Sequence, residues 1–169
     1  RIIDFWVRTA MTDSGAPNIC YNPAIVGFEP YPLWTRMIAD GLEAILDAYV
    51  YTGKKQEHHP EWLGFCRQAA DWFLSIQNSD GSFYRAYNTD GSMRMDSKAN
   101  TTSIVRFLVQ LYLVTGQEAY RDAAMMAGQW CLDNVYLNME YRGSTCDNLD
   151  IMDNESGIYA MYAFQSLLD

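Results

Sequence analysis

Histidine is almost absent from this chain, and positive charge is scarce. The 169 residues hold two histidines, His58 and His59, adjacent to each other and followed by Pro60, and 12 Lys and Arg against 21 Asp and Glu, a formal charge of −9. With no third histidine and no CxxC pair, a zinc site has no ligand set, and a Ser-His-Asp arrangement has no base to build on. The cation deficit leaves nothing to neutralise a phosphate backbone, so no nucleic-acid partner is expected. No apolar run approaches the ~20 residues needed to cross a bilayer, so no membrane insertion is expected, and no basic, apolar leader opens the chain. Gly-rich phosphate loops of GxxxxGK or GxGxxG form are missing, and the acidic run from Asp147 to Glu155 lacks the alternate-residue spacing of an EF-hand. No metal and no cofactor is expected. Four cysteines, Cys20, Cys66, Cys131 and Cys146, are too few for a disulfide framework. Buried free thiols are the expectation, with a Cys20–Cys146 pair between two loops as the alternative in a secreted protein.

What is present is the composition of one globular domain over residues 1–169, 49% hydrophobic and 20% charged. An internal repeat organises it. Leu42 to Gly53 returns as Val105 to Gly116, 63 residues on, and both copies end in Thr-Gly. Ala69-Ala-Asp-Trp72-Phe-Leu74 returns as Ala127-Gly-Gln-Trp130-Cys-Leu132 after 58 residues. Each copy reads as a helical hairpin. Leu42, Ile45, Leu46 and Tyr49 stack on one helical face, whereas Ile104 to Val114 is apolar nearly all round and needs neighbours on several sides. These first helices are expected inside. The second helices, charged on one face and small on the other at Ala69, Ala70, Ala123, Ala124 and Gly128, are expected outside.

The spacing predicts an outer-helix remnant at Ile2–Ala10, inner helices at Leu33–Thr52, Ser97–Thr115 and Asn154–Leu168, and outer helices at Pro60–Gln77 and Glu118–Val135. Pro60 suits a first helical turn, and the Gly of each Thr-Gly suits the left-handed residue that ends an inner helix. Gly81 to Tyr87 reads as an extended strand between two Asn-x-Asp-Gly turns. Inner-to-outer connections are short, whereas Met11–Pro32, Asn78–Asp96 and Tyr136–Asp153 run to about twenty residues, long enough to be functional. In a stack of antiparallel hairpins all three emerge at one end, beside the inner-helix N-termini. They are rich in carboxylates and aromatics, which is what a sugar cleft uses: rings against pyranose faces, carboxylates for hydroxyls or proton transfer.

The alternating helices, the repeated Thr-Gly, the segment Ala69-Ala-Asp-Trp-Phe-Leu-Ser-Ile-Gln-Asn-Ser-Asp-Gly-Ser-Phe83 and the acidic Cys146-Asp-Asn-Leu-Asp-Ile-Met-Asp-Asn-Glu-Ser156 together resemble the six-hairpin glycosidase superfamily of (α/α) toroids, mostly glycoside hydrolases and polysaccharide lyases. The resemblance implies an all-α fold of inner and outer helices with long loops on one face. At about 55–60 residues per hairpin the chain holds about three of six hairpins. That length, the Arg1 start and the missing stop signal after Ile158–Asp169 raise the expectation of a piece of a longer chain, with a homodimer or the rest of the toroid against its open edge. The resemblance also implies a carbohydrate substrate and acidic residues at inner-helix N-termini. Asp153, Glu155 and Asp96 match that placement as acid and base; the plainer reading makes Asp153 a helix cap, Glu155 a dipole partner and Asp96 a turn residue. Trp34 and Arg36 form a candidate sugar platform, with Tyr87 and Asn148 beside them, and Arg94 and Lys98 are candidates for a uronate carboxylate. The plainer reading makes Trp34 a core residue, Tyr87 loop packing, and Arg94 and Lys98 partners of neighbouring acids. A polysaccharide-degrading role implies a secreted or periplasmic protein, and action on imported oligosaccharides a cytoplasmic one. The alternatives are a non-catalytic glycan- or protein-binding helical module and a terpene-cyclase-like toroid, the latter weakened by acids spaced three apart rather than in DxDD or DDxxD.

Overall fold

The computed structural model describes residues 1–143 and 151–168. Helices α1 (Ile2–Thr9), α2 (Thr35–Lys54), α3 (Pro60–Ile76), α4 (Thr101–Thr115), α5 (Glu118–Cys131) and α6 (Asn154–Ser166) carry most of the chain. They fall within a few residues of the expected spans. Pro60 opens α3, where its missing N–H is no loss. Gly116 closes α4 in the left-handed conformation at φ +68°, its N–H bonded to Tyr112 O. The first Thr-Gly behaves differently. There α2 runs through Gly53 to Lys54, and Gln56 takes the positive φ, +64°. After α5 the chain continues in a π-helical turn, Leu132–Tyr136, so the predicted outer helix reaches its length by widening.

The helices form two layers. In one row α2 packs on α4 and α4 on α6; in the other α1 packs on α3 and α3 meets α5, with α3 backing α2 and α5 backing α4. Two side-chain pairs join α2 to α4, Glu43 with Arg106 and Asp47 with Gln110, and two join α2 to α6, Arg36 with Glu155 and Asp40 with Tyr159. Both sets climb the helices together, so all three run parallel. Because α2 and α6 both flank α4 and still touch each other, the row is bent. Among the described residues it is an open array, mostly helical, with no ring closed.

Small strands tie the loops together at one end. β1 (Tyr21–Asn22) pairs with β2 (Gly27–Phe28), and β3 (Leu33–Trp34), β4 (Ala86–Tyr87) and β5 (Met93–Met95) form an antiparallel sheet with Leu33 opposite Tyr87 and Tyr87 opposite Met93. Only the last two residues of the extended segment predicted at 81–87 pair as a strand. Thr35 then opens α2 against the same segment, donating its N–H to Arg85 O and its hydroxyl to Tyr84 O. Ser14 reaches Thr89 O, and the buried Arg85 donates to Gly143 O at 2.7 Å, so all three long connections are fastened at the end where α2, α4 and α6 begin.

The two Asn-x-Asp-Gly-Ser turns are built alike. Asp80 Oδ1 accepts from the Ser82 N–H and hydroxyl, and Asp90 Oδ1 from those of Ser92. Gly81 and Gly91 take φ of +87° and +86°. They differ in surroundings: a Cβ on Gly81 would lie 2.4 Å from Met126 O of α5, whereas one on Gly91 would meet only Trp72 Nε1 at 3.4 Å. We expect Gly81→Ala to cost roughly 2–4 kcal/mol in urea unfolding, from strained backbone plus a clash that backbone cannot relieve. Gly91→Ala should cost about 1 kcal/mol. Equal losses would mean that the close approach to α5 carries no energy.

Candidate functional site

Down one stripe of α2, at spacings of four, three and four, stand Arg36, Asp40, Glu43 and Asp47. The opposite flank, with Ile38, Leu42, Ile45 and Leu46, is buried in the core. The stripe faces the hollow of the bent row, where side chains from α4 and α6 meet it.

Arg106 of α4 is the hub. Its Nη1 lies 2.6 Å from Glu43 Oε2, and its guanidinium stands 5.4 Å from the centre of the Tyr162 ring on α6. One side chain thus touches both neighbouring helices. Nearer the loop end Arg36 Nη1 pairs with Glu155 Oε1 at 2.5 Å, while its guanidinium lies 5.9 Å from the Tyr159 ring. The Tyr159 hydroxyl donates to the Asp40 carboxylate at 2.8 Å. Below Arg106, a cavity of about 380 Å³ opens between α4 and α6, lined by Val109, Gln110, Leu113, Tyr162, Gln165 and Ser166.

The carboxyls of this cluster sit in unlike environments. Burial pushes Glu43 up to about 7, outweighing the attraction of Arg106, and the negative charges of Asp40 and Asp47 add to the rise. Asp40 is raised too, by burial, against the opposing hydrogen bond from Tyr159 and the charge of Arg36. Tyr159 is held firmly protonated by burial and by its bond to Asp40. Glu155, by contrast, has a side chain 42% exposed and an arginine beside it. A carboxyl able to carry a proton near neutrality therefore shares one hollow with an accessible, cation-paired carboxylate. That is the equipment of acid–base chemistry.

Of the residues expected from sequence, the structure joins Arg36 and Glu155 directly. Asp153 caps α6, its Oδ1 accepting the Ser156 N–H at 2.6 Å while Oδ2 is buried without a hydrogen bond. Trp34 is half-buried at the start of α2, its ring face covered by the Arg85 guanidinium at 5.5 Å. Tyr87, 2% exposed, packs edge-on against Trp72 and accepts the Tyr84 N–H on its hydroxyl, so it belongs to the core and presents no face to a ligand. Lys98 is bound to Asp80 at 2.6 Å and holds that carboxyl down to about 2. Arg94, exposed, donates to Asn88 Oδ1, and Asp96 is exposed just after β5. Asn148 and Cys146 lie outside the described residues. Cys66 and Cys131 are the buried free thiols expected, their pKa pushed up to about 12 by burial.

Asp40, Glu43, Arg106, Tyr159 and Tyr162 were not singled out from sequence, because attention to loops and helix starts passes over charges inside a helix. A signal was there. The repeat offset of 63 places Glu43 on Arg106 and Asp47 on Gln110, and those equivalent residues are the ones that touch. Compared with family models, curated proteins and solved structures, the chain matches none.

Glu43 gives the site a pH signature. Its folded value, about 7, lies above its ordinary 4.5, so the folded protein holds this proton more tightly than the unfolded chain. Its contribution to stability is therefore complete below about 4.5 and is lost as pH rises through about 7. Denaturant unfolding from pH 4.5 to 8 should show a fall in stability across that window, and Glu43→Gln should flatten it. A slope unchanged in the variant would show that Glu43 titrates normally.

Proposed function

We propose that this chain is a carbohydrate-active domain that cleaves an oligo- or polysaccharide by carboxylate acid–base chemistry in the hollow between α2, α4 and α6, within an arrangement of the (α/α) toroid kind. One observation carries the reading: three parallel helices line one hollow with two carboxyls in unlike settings, Glu43 raised to about 7 and Glu155 paired to Arg36, with Tyr159 and Tyr162 beside them. Glycoside hydrolysis needs one carboxyl to deliver a proton to the leaving oxygen and another, ionised, to activate water or attack the anomeric carbon. Glu43 fits the donor and Glu155 the ionised partner. Asp40, bonded to Tyr159 of α6, stands one turn from Glu43 on α2, and its charge adds to the rise of Glu43. Asp153 sets where α6 begins, and so the height of Glu155 and Tyr159. The tyrosine rings supply the apolar surface that a pyranose stacks on.

The sign of the charges favours neutral sugars over uronates. Arg36 and Arg106 are each matched by a carboxylate, and the cations once assigned to a uronate, Arg94 and Lys98, are engaged at the β-sheet end with Asn88 and Asp80.

The test is cleavage of a panel of neutral and uronic-acid oligosaccharides by the wild type, Glu43→Gln, Glu155→Gln and Asp153→Asn. Loss of at least ~10²-fold turnover in Glu43→Gln and in Glu155→Gln is expected, with a smaller loss in Asp153→Asn. Binding of a glycan with no turnover across the panel would instead make the chain a binding module. Turnover indifferent to both glutamates would move the chemistry away from this hollow.

A further inference from the structure

The two histidines stand at the opposite end from the loops, in the turn between α2 and α3, and folding gives them company that the sequence does not reveal. Asp4 of α1 arrives beside His59, which immediately precedes α3, and Glu61 in the first turn of α3. One donor atom from each of the three lies within 4.8 Å of the others. We propose that Asp4, His59 and Glu61 form a zinc site that fastens α1 to the start of α3.

Three features support it. Zinc takes imidazole and carboxylate ligands at about 2.0–2.2 Å in a tetrahedron, which sets neighbouring donor atoms about 3.3–3.5 Å apart. His59 Nδ1 and Glu61 Oε1 are 3.4 Å apart, longer than a good hydrogen bond and suited to sharing a metal. Second, Trp62 orients two of the ligands from behind. Its ring stacks on His59 at 3.8 Å and 5°, and its indole N–H donates to Asp4 Oδ1 at 3.0 Å, the kind of outer contact that fixes metal ligands in place. Third, one imidazole and two carboxylates are a donor set that zinc accepts. All three side chains are partly exposed, at 35%, 29% and 44%, leaving a path in and a fourth position for water.

This site is independent of the sugar reading, since it lies away from the hollow and stabilises rather than reacts. Isothermal titration of the whole chain with zinc at pH 7.5 should give one equivalent bound per chain, with a zinc-dependent rise in unfolding temperature. Asp4→Asn, His59→Gln and Glu61→Gln should each weaken binding at least tenfold and abolish the thermal rise, while His58→Gln leaves both intact. The substitutions are at the surface, and far-UV circular dichroism checks that each variant keeps its helices. No saturable binding would overturn the proposal. So would binding that survives Asp4→Asn and fails in His58→Gln, the behaviour of an adjacent histidine pair acting alone.

Discussion

Helix α4 has almost no free side. Thr101 to Val105, Phe107 to Val109 and Leu111 are buried, and α2, α5 and α6 all pack against it. At about 1.5–3 kcal/mol for each large apolar side chain removed from water, Ile104, Phe107, Leu108 and Leu111 make this helix the element that the others are placed against. The two-layer arrangement follows from it. An inner helix wet on one side would let the row straighten, whereas one covered on three sides holds α2 and α6 at a fixed angle to each other.

That angle creates the hollow. Arg106 is the one charged residue of α4, and it reaches Glu43 on one neighbour and Tyr162 on the other. A guanidinium suits this post because it stays charged when partly buried and serves a carboxylate and an aromatic face at once. Glu43 opposite it is drawn out of water by the same packing, which raises its pKa, while Asp40 and Glu155 stay nearer the rim. The burial that raises Glu43 also costs folding energy at high pH.

At the loop end, residues expected to contact a substrate also make contacts within the protein. Lys98 pairs with Asp80, Arg94 with Asn88 and the Trp34 ring with the Arg85 guanidinium, and the twin Asp-Gly-Ser turns use their carboxylates to brace their own backbone. Polar side chains in a loop folded against a core need partners, and in these connections local ones are close at hand.

The amino-acid sequence by itself determined the helices, their inner and outer roles and the three long connections, because hydrophobic period, proline, glycine and loop length are local properties. It also carried the register between α2 and α4, through a repeat whose equivalent residues end up side by side. Only the tertiary structure decided which carboxylates leave water. Asp153 and Glu155 are two residues apart, yet one is spent on a helix cap and the other faces Arg36 from a helix 119 residues away. Asp4 and His59, 55 residues apart in sequence, meet only when α1 lies on α3. Desolvation and through-space charge depend on what arrives from elsewhere in the chain, and no local pattern encodes them.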